Sequence, residues 1–180
     1  MKFKHTIAKL EDIPAINELM HQSITKLLGH YVNEQELEAS FESMGLDDQL
    51  IKDKTYFLIY LDETLVGCGG WSNRKTLFGG NHTPNRSDDF LDPNNDAAKI
   101  RAMYTHPEWA RKGVGTLILQ LAEKEAFNSG FKICELMATL AGIHLYKERG
   151  YKVFDEIIYE SKKGNRVKMF KMTKSLNFKT

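Results

Sequence analysis

The sequence predicts a mixed α/β domain in which helices pack against a central sheet. Short apolar runs that suit strands alternate along the chain with segments whose apolar residues recur at helical spacing. The 180 residues fall within the usual range of one domain, and 42% hydrophobic with 27% charged residues is an ordinary globular composition. We therefore expect residues 1–180 to form one domain with a buried core.

The first third of the chain predicts a strand, two helices and a hairpin. Residues 3–8 suit a strand, and Pro14 after two acids suits the start of a helix, where acids and proline are favoured. A second helical region, less regular, spans 27–44. The apolar runs 56–61 and 65–68 are separated by three polar residues, which predicts a β-hairpin.

The segment 79–96 predicts a long irregular connection, because it is rich in Gly, Asn, Asp, Pro and Ser. Loops of that length without secondary structure are uncommon inside a domain and are usually functional or mobile. Two interpretations stay open from the sequence: a lid over a substrate site, and a plain surface insertion.

The second half of the chain alternates strands and helices more regularly. Apolar spacing after the glycine pair Gly113 and Gly115 predicts an amphipathic helix that ends near Gly130. A shorter helix is predicted over 143–149. The predicted strands of this half are 100–105, 133–139, 151–159 and 166–173.

Charge, hydropathy and cysteine content argue against several classes of protein. A formal net charge of +1 is not the broad basic footprint of a protein that coats nucleic acid. No apolar run approaches the roughly 20 residues that cross a bilayer, and residues 1–5 lack the apolar core of a signal peptide. Cys68 and Cys134 make neither a disulfide framework nor a four-ligand metal site. We expect a cytoplasmic protein with no metal, no membrane contact and no nucleic-acid partner.

The segment 109–116, Trp-Ala-Arg-Lys-Gly-Val-Gly-Thr, carries the clearest chemical signal. Two glycines one residue apart let the backbone approach a ligand, and the N–H groups in the first turn of a helix form an anion site. Arg111 and Lys112 add positive charge beside that site. The spacing lacks the Gly-Lys-Ser/Thr of a Walker motif and the third glycine of the dinucleotide fingerprint. The pattern therefore predicts a different phosphate ligand, with a pyrophosphate as the natural occupant.

Two separated motifs in this half resemble the GNAT superfamily of acetyl-CoA-dependent N-acetyltransferases. The first is the strand that ends in Tyr-Thr-His-Pro at 104–107 together with the turn 111–116. The second is Leu-Tyr-Lys-Glu-Arg-Gly-Tyr at 145–151, and the order of elements over nearly the whole chain also matches. The resemblance implies a GNAT-like α/β (α+β) fold: a mixed, mostly antiparallel twisted sheet of six to seven strands, flanked by about four helices.

The resemblance also implies how acetyl-CoA would be held. Backbone groups of 103–105 would pair with the pantetheine arm as an added strand pairs with a sheet edge. Amides of the 111–116 turn would hold the pyrophosphate, and the thioester would lie where two strands of the family splay apart. The cofactor-binding residues implied in this way are Met103, Tyr104, Thr105, Arg111, Lys112, Gly113, Val114, Gly115, Thr116 and Thr139.

The catalytic acid implied by the resemblance is Tyr146, which would protonate the departing thiolate. A phenol with a pKa of about 10 is neutral at cellular pH, and positioned acids contribute roughly 10² to 10⁴ in rate. An ammonium acceptor must also lose a proton before it attacks, and His144 and Glu135 are the candidate bases. Glu135 equally suits a salt-bridged strand residue and His144 an exposed one, so the base stays unassigned.

Three positions depart from the pattern of the family. Ala110 stands where many members have Gln or Arg, and Thr139 stands where many have Asn. Lys99 lies near the place of a carboxylate base that some members carry, and it cannot act as that base while protonated.

The acceptor pocket implied by the resemblance includes Tyr31, Glu34, Trp71 and Arg101, because an aromatic ring and an acid suit a cationic amine. A structural tryptophan among surface charges is the alternative interpretation. The expected reaction is direct attack of a primary amine, from a small molecule or a protein, on the thioester of acetyl-CoA. A non-catalytic acyl-CoA sensor is the competing function, and a homodimer stays open.

Overall fold

A seven-stranded sheet with helices on both faces forms the frame of the protein, whose computed structural model describes residues 2–177. The strands are β1 Lys4–Ile7, β2 Tyr56–Leu61, β3 Thr64–Ser72, β4 Ala98–Thr105, β5 Ile133–Ala138, β6 Lys152–Glu160 and β7 Arg166–Ser175. The α-helices are α1 Ile13–Lys26, α2 Glu34–Ser43, α3 Asp48–Lys52, α4 Val114–Asn128 and α5 Ile143–Glu148. The order is β1-β2-β3-β4-β5-β7-β6, antiparallel except for the parallel pair β4–β5. The predicted fold class is confirmed.

The second helical region differs from the prediction in its division. A 3₁₀ turn at 28–30 precedes α2, which begins after Asn33. The Asn33 side chain accepts from the Glu36 N–H at 2.9 Å, and the Glu36 carboxylate accepts from the Asn33 N–H at 2.8 Å. This reciprocal capping box fixes the start of α2, and its sequence pattern is Asn-x-x-Glu. The short helix α3, capped by Asp47, was not predicted.

The sheet separates two apolar clusters. On one face α4 packs with Ile118 and Ala122 against strand residues such as Leu136. On the other face α1 packs with Ile16 and residues of its buried stripe against the middle of the sheet. None of the helices among residues 2–177 is long and apolar enough to cross a membrane.

Strands β4 and β5 part after two residue pairs, Ala98 with Cys134 and Lys99 with Glu135. On its other side β5 pairs with β7 along its whole length, from Ile133 with Ser175 to Ala138 with Phe170. Paired strands lie about 4.8 Å apart, so the end of pairing opens a gap between the carboxyl ends of β4 and β5. Because β4 leads to α4 and β5 leads to α5, the beginnings of both helices flank this gap.

A bulge interrupts β4 where it borders the gap. The register with β3 shifts between Cys68 and Gly70, and Ala102 on β4 has a φ of +49°. A left-handed backbone in a residue other than glycine costs about 1 kcal/mol or more. The Tyr56 hydroxyl donates to the Ala102 carbonyl at 2.7 Å from a buried position, which holds the bulge in place. Bulges recur beside functional sites because they redirect side chains.

The segment 79–96 is tied to the body of the protein. The Thr83 hydroxyl donates to the Glu42 carbonyl at 2.7 Å, at the end of α2. The Arg101 guanidinium donates to the Gly79 carbonyl at 2.8 Å, from β4. These hydrogen bonds join the segment to two elements that border the gap, so it is built into the wall of the molecule.

Candidate active site

A cavity of about 390 Å³ occupies the gap between β4 and β5. On the side of α4 and α5 it is lined by the first turn of α4 and by residues between 139 and 148. On the opposite face of the sheet it is lined by the end of α1, by 43–45 after α2 and by 77–79. Residues 100–105 of β4 run along it. The cavity therefore passes through the sheet at the point where the strands separate.

The turn before α4 has the geometry of an anion site. Arg111 and Gly113 have φ values of +62° and +91°, and Gly113 is the N-cap of α4. A Cβ added at Gly113 would meet nothing within 4 Å, so the turn is open to a ligand on that side. The first N–H groups of a helix have no partner within the helix and carry the positive end of its dipole. A pyrophosphate fits this turn.

A close approach of α5 to α4 explains the second glycine of the turn. A Cβ added at Gly115 would lie 2.8 Å from Leu145 Cδ2, so a larger residue would require the Leu145 side chain to move. Gly115 and Leu145 both line the cavity. The two glycines thus serve different purposes: Gly113 allows the left-handed turn, and Gly115 leaves room for Leu145 of α5.

Most of the sequence-predicted cofactor residues come together along one side of the cavity. The lining residues include Met103, Tyr104, Thr105, Arg111, Gly113, Gly115, Thr116 and Thr139. Lys112 places its ammonium 4.5 Å from the centroid of the Trp109 ring, and Val114 is buried in the core. The side chains of Lys112 and Val114 therefore have structural partners. Only the backbone amides of these two residues would be available to a ligand at the turn.

Thr139 closes the turn between β5 and α5. Its hydroxyl oxygen accepts from the Gly142 N–H at 3.3 Å, and its carbonyl accepts from the Ile143 N–H at 3.0 Å. A hydroxyl that accepts in this way still has its own O–H to donate. Thr139 can therefore offer one hydrogen bond into the cavity that it lines.

Tyr146 lines the cavity with 9% of its surface exposed. Its hydroxyl donates to Met103 Sδ at 3.7 Å, which links α5 to β4 across the gap. Its ring packs edge-on against Tyr151 with centroids 5.9 Å apart. Burial raises the pKa of Tyr146 to about 12, because a phenolate is poorly solvated there. The phenol is neutral at any physiological pH and can act only as a proton donor.

The two candidate bases have different surroundings. His144 is exposed and lines the cavity, but residues two apart on a helix do not share a face, so its ring points away from that of Tyr146. Glu135 is buried and forms ion pairs with Lys99 and, at 3.2 Å, with Lys171. Glu135 is not among the residues that line the cavity. Its two lysine partners give it a structural role, so the geometry does not support it as the base.

Arg101 lines the cavity with its guanidinium already engaged. It is 2% exposed and donates to Asp47 at 2.9 Å and to the Thr76 carbonyl at 3.0 Å. Arg86 donates to the other oxygen of the Asp47 carboxylate at 2.7 Å. Burial lowers the pKa of Arg101, and Asp47 opposes that change. The network joins β4, the cap of α3 and the loop after β3 into one wall.

The other three predicted acceptor residues lie away from the cavity. Trp71 is 4% exposed in the core, packs edge-on against Phe131 and donates from Nε1 to Glu125 at 3.2 Å. Tyr31 and Glu34 are exposed near the start of α2 and do not line the cavity. The structure therefore gives Trp71 structural partners and does not bring these three residues to the cavity, so their place in an acceptor pocket stays a prediction that this geometry does not support.

Sequence reasoning missed the apolar residues that form the wall of the cavity opposite α4. They come from separate segments: Leu27 and Leu28 after α1, Met44 after α2, and Leu77 and Phe78 after β3. These segments meet only in the folded chain, and no motif marks them. The capping box of α2 and the hydrogen-bonded loop after β3 bring them together.

Both cysteines are buried outside the cavity lining. Burial raises the pKa of Cys68 and of Cys134 to about 12, so neither forms a thiolate at physiological pH. A covalent acyl-cysteine step therefore has no candidate nucleophile here. In the described residues 2–177 there is also no group of three or more His, Cys, Asp or Glu side chains placed to hold a metal ion.

Comparisons with known proteins agree with this geometry. A sequence model of the acetyltransferase (GNAT) family matches residues 19–151. No match was found among curated proteins. A GCN5-related N-acetyltransferase from Rhodopseudomonas palustris superposes with a TM-score of 0.72 at 20% identity, covering 98% of this chain and 97% of that one.

Two further solved structures with this fold contain the coenzyme. The PaiA N-acetyltransferase from Thermoplasma acidophilum, in complex with coenzyme A, has a TM-score of 0.64 at 19% identity over 98% of this chain and 100% of that one. YncA from Salmonella typhimurium, solved with its cofactor acetyl-CoA, has a TM-score of 0.65 at 15% identity over 100% of this chain and 97% of that one. At these identities the likeness shows the fold.

Proposed function

The chain belongs to the acetyltransferase (GNAT) family, and from that premise we propose that it transfers the acetyl group of acetyl-CoA to a primary amine by direct attack on the thioester. One observation carries the proposal. A single cavity connects the open turn at Gly113 with the neutral hydroxyl of Tyr146, along the strand that has lost its neighbour. An anion site and a proton donor that line the same cavity suit a ligand that carries both a diphosphate and a thioester.

Different parts of the chain would bind different parts of acetyl-CoA. Amides of the α4 turn and the Arg111 side chain would hold the diphosphate through charge-assisted hydrogen bonds. On the side of β4 away from β3, Met103 to Thr105 have no paired strand, and their free backbone groups would pair with the amides of the pantetheine arm. Acetyl-CoA supplies an acetyl group activated as a thioester. The chain would position its carbonyl near Tyr146 for an amine entering from the other face of the sheet.

The protons balance without a covalent enzyme intermediate. The amine nitrogen forms a bond to the carbonyl carbon, the carbon–sulfur bond breaks, and the Tyr146 phenol donates its proton to the departing sulfur. The nitrogen loses one proton to solvent, and the phenolate regains one proton from solvent. His144 is exposed and lines the same cavity. The raised pKa of Tyr146 favours its return to the phenol.

A direct assay tests this function. Purified protein is incubated with acetyl-CoA and a panel of primary amines, and free thiol is measured together with the mass of the amine product. We expect release of thiol that depends on the amine and is matched by acetylated product. Coenzyme binding without thiol release for every amine would instead support the acyl-CoA sensor. Glu135 does not line the cavity, and the carboxylate of Glu148, which does, is exposed at the end of α5. The lack of a buried carboxylate base in the cavity favours that second candidate.

His144→Gln distinguishes a dedicated base from an exposed residue. A positioned base contributes about 10² to 10⁴ in rate, so its loss would reduce kcat by at least about a hundredfold. Because the His144 ring lies on a different face of α5 from Tyr146, we expect a loss of less than about tenfold. A larger loss, with coenzyme affinity retained, would identify His144 as the base.

A further inference from the structure

The part of the cavity that faces away from the α4 turn is lined mainly by apolar side chains, and Ser23, Ser43 and Arg101 are its polar members. The apolar side chains come from the end of α1, from three separate connections and from β7. The apolar residues used in the argument are Leu27, Leu28, Met44, Leu77, Phe78 and Met169. A ligand that fills this space exchanges water for hydrocarbon, which favours an apolar body at about 25 cal/mol per Å².

The charge on this wall is positive. Asp47 is shared between two guanidinium groups, those of Arg101 and Arg86, so the buried network carries an excess of one positive charge. Arg101 belongs to the cavity lining, while Arg86 does not. Of the lining residues in the described chain, Glu148 alone has a carboxylate, and it is exposed at the end of α5 on the coenzyme side.

We propose that the acceptor is a primary monoamine with an apolar aryl or alkyl body, bound in its uncharged form, and that polyamines and lysine-rich peptides are poor acceptors. The proposal rests on the acetyl-transfer function proposed above. A second ammonium group would lie in an apolar space beside Arg101 with no carboxylate to receive it, which is costly. An apolar body has no such cost.

The same surroundings explain how the attacking nitrogen can be free of its extra proton. Removal from water and a nearby positive charge both disfavour an ammonium ion, so both lower the pKa of a bound amine. The bound acceptor is then the free amine, whose lone pair is available for attack. A carboxylate base beside Tyr146 is unnecessary for such an acceptor, which agrees with the burial of Glu135 between Lys99 and Lys171.

Phe78 is the wall residue with the best-defined support. Its ring packs edge-on against Tyr159 with centroids 6.0 Å apart, and the Tyr159 hydroxyl donates to the Glu42 carboxylate at 2.7 Å. Tyr159 therefore backs Phe78 from β6, while Glu42 fixes Tyr159 to α2. We expect Phe78 to limit the body of the acceptor at this end of the cavity.

The first experiment compares 2-phenylethylamine with spermidine as acceptors, at equal concentrations and saturating acetyl-CoA. We expect kcat/KM to be at least about tenfold higher for 2-phenylethylamine, the scale on which pockets discriminate small substrates. Equal or higher kcat/KM for spermidine would overturn the inference and leave acetyl transfer intact. Coenzyme binding with no amine acetylated would instead overturn the proposed function.

The second experiment tests the wall with Phe78→Ala and Phe78→Leu. The alanine variant should lose about ten- to a hundredfold in kcat/KM for 2-phenylethylamine, with less loss for methylamine and unchanged affinity for coenzyme A. The leucine variant should recover part of the loss. Phe90→Ala is the matched control, since Phe90 lies in the same loop, is 64% exposed and is absent from the cavity lining. Equal losses for both amines, or equal effects at Phe90, would contradict the assignment.

Discussion

Replacing Gly113 by glutamate and by glutamine separates the charge of the anion site from the shape of its turn. Both residues must adopt the φ of +91° that glycine has now, which costs about 1–2 kcal/mol for an L-residue. Both side chains enter the same open space, because a Cβ at this position meets nothing within 4 Å. The two variants should therefore lose similar stability and differ chiefly in one negative charge.

The magnitude follows from Coulomb's law. With about 5 Å between the glutamate and a phosphate charge, repulsion is about 0.8 kcal/mol at the dielectric constant of water and about 3 kcal/mol at an effective value of 20. Because Gly113 is exposed, the lower half of that range applies at high salt. The repulsion between the introduced glutamate and one phosphate charge thus weakens the binding of coenzyme A by about 4-fold to about 200-fold, since 1.4 kcal/mol is tenfold.

Titration calorimetry with coenzyme A measures this difference in affinity. Measurements at about 50 mM and about 500 mM salt compare weak with strong screening of the charges. Gly113→Glu should bind more weakly than Gly113→Gln, and the gap should narrow at high salt. Gly164→Glu is the control, because Gly164 has a φ of +81° and open space around it in the turn between β6 and β7. Equal affinities for the two Gly113 variants at low salt would refute a diphosphate at this turn.

Three further predictions concern buried and paired groups. Tyr146→Phe should lower kcat by about 10² to 10⁴ with coenzyme affinity unchanged in calorimetry; retained turnover would exclude Tyr146 as the acid. Glu135→Gln should lower the free energy of unfolding in urea by about 3 kcal/mol, because it leaves buried Lys99 unpaired; full stability with lost turnover would make Glu135 catalytic instead. Hydrogen bonds from Arg74 lower the pKa of Asp53, so their stabilisation is complete above about pH 4 and is lost as pH falls through the native pKa. Asp53→Asn should remove that part of the acid dependence of the melting temperature, and an unchanged acid profile would argue against the pair.

The turn before α4 and the short helix that carries Tyr146 were predictable because their signals are local in the chain. The turn 111–116 and the helix that follows it carry their own backbone requirements, and Tyr146 lies in a short motif near its own glycine stop. Gly113 takes the left-handed conformation that its place before a helix suggests. A sequence read in order reveals such features, because each depends on residues a few positions apart.

The opposite wall of the cavity was not predictable, because it depends on residues far apart in the chain. Arg101 and Asp47 are 54 positions apart, and only the folded sheet shows that the aspartate is shared with Arg86. Trp71 looks like a pocket aromatic in sequence, but strand alternation turns it toward α4 and the core. Its partner Glu125 lies on α4, at a separation that no local pattern reveals.

The parting of β4 and β5 has a consequence for how the specificity of this protein can change over time. Residues 100–116 supply the end of β4 and the turn before α4 as one stretch of chain, whereas the opposite wall is assembled from short connections after α1, α2 and β3. Those connections can exchange side chains, or lengthen, without disturbing the turn at Gly113 or the position of Tyr146. A lineage could therefore adopt new acceptors one connection at a time while it keeps the same acetyl donor.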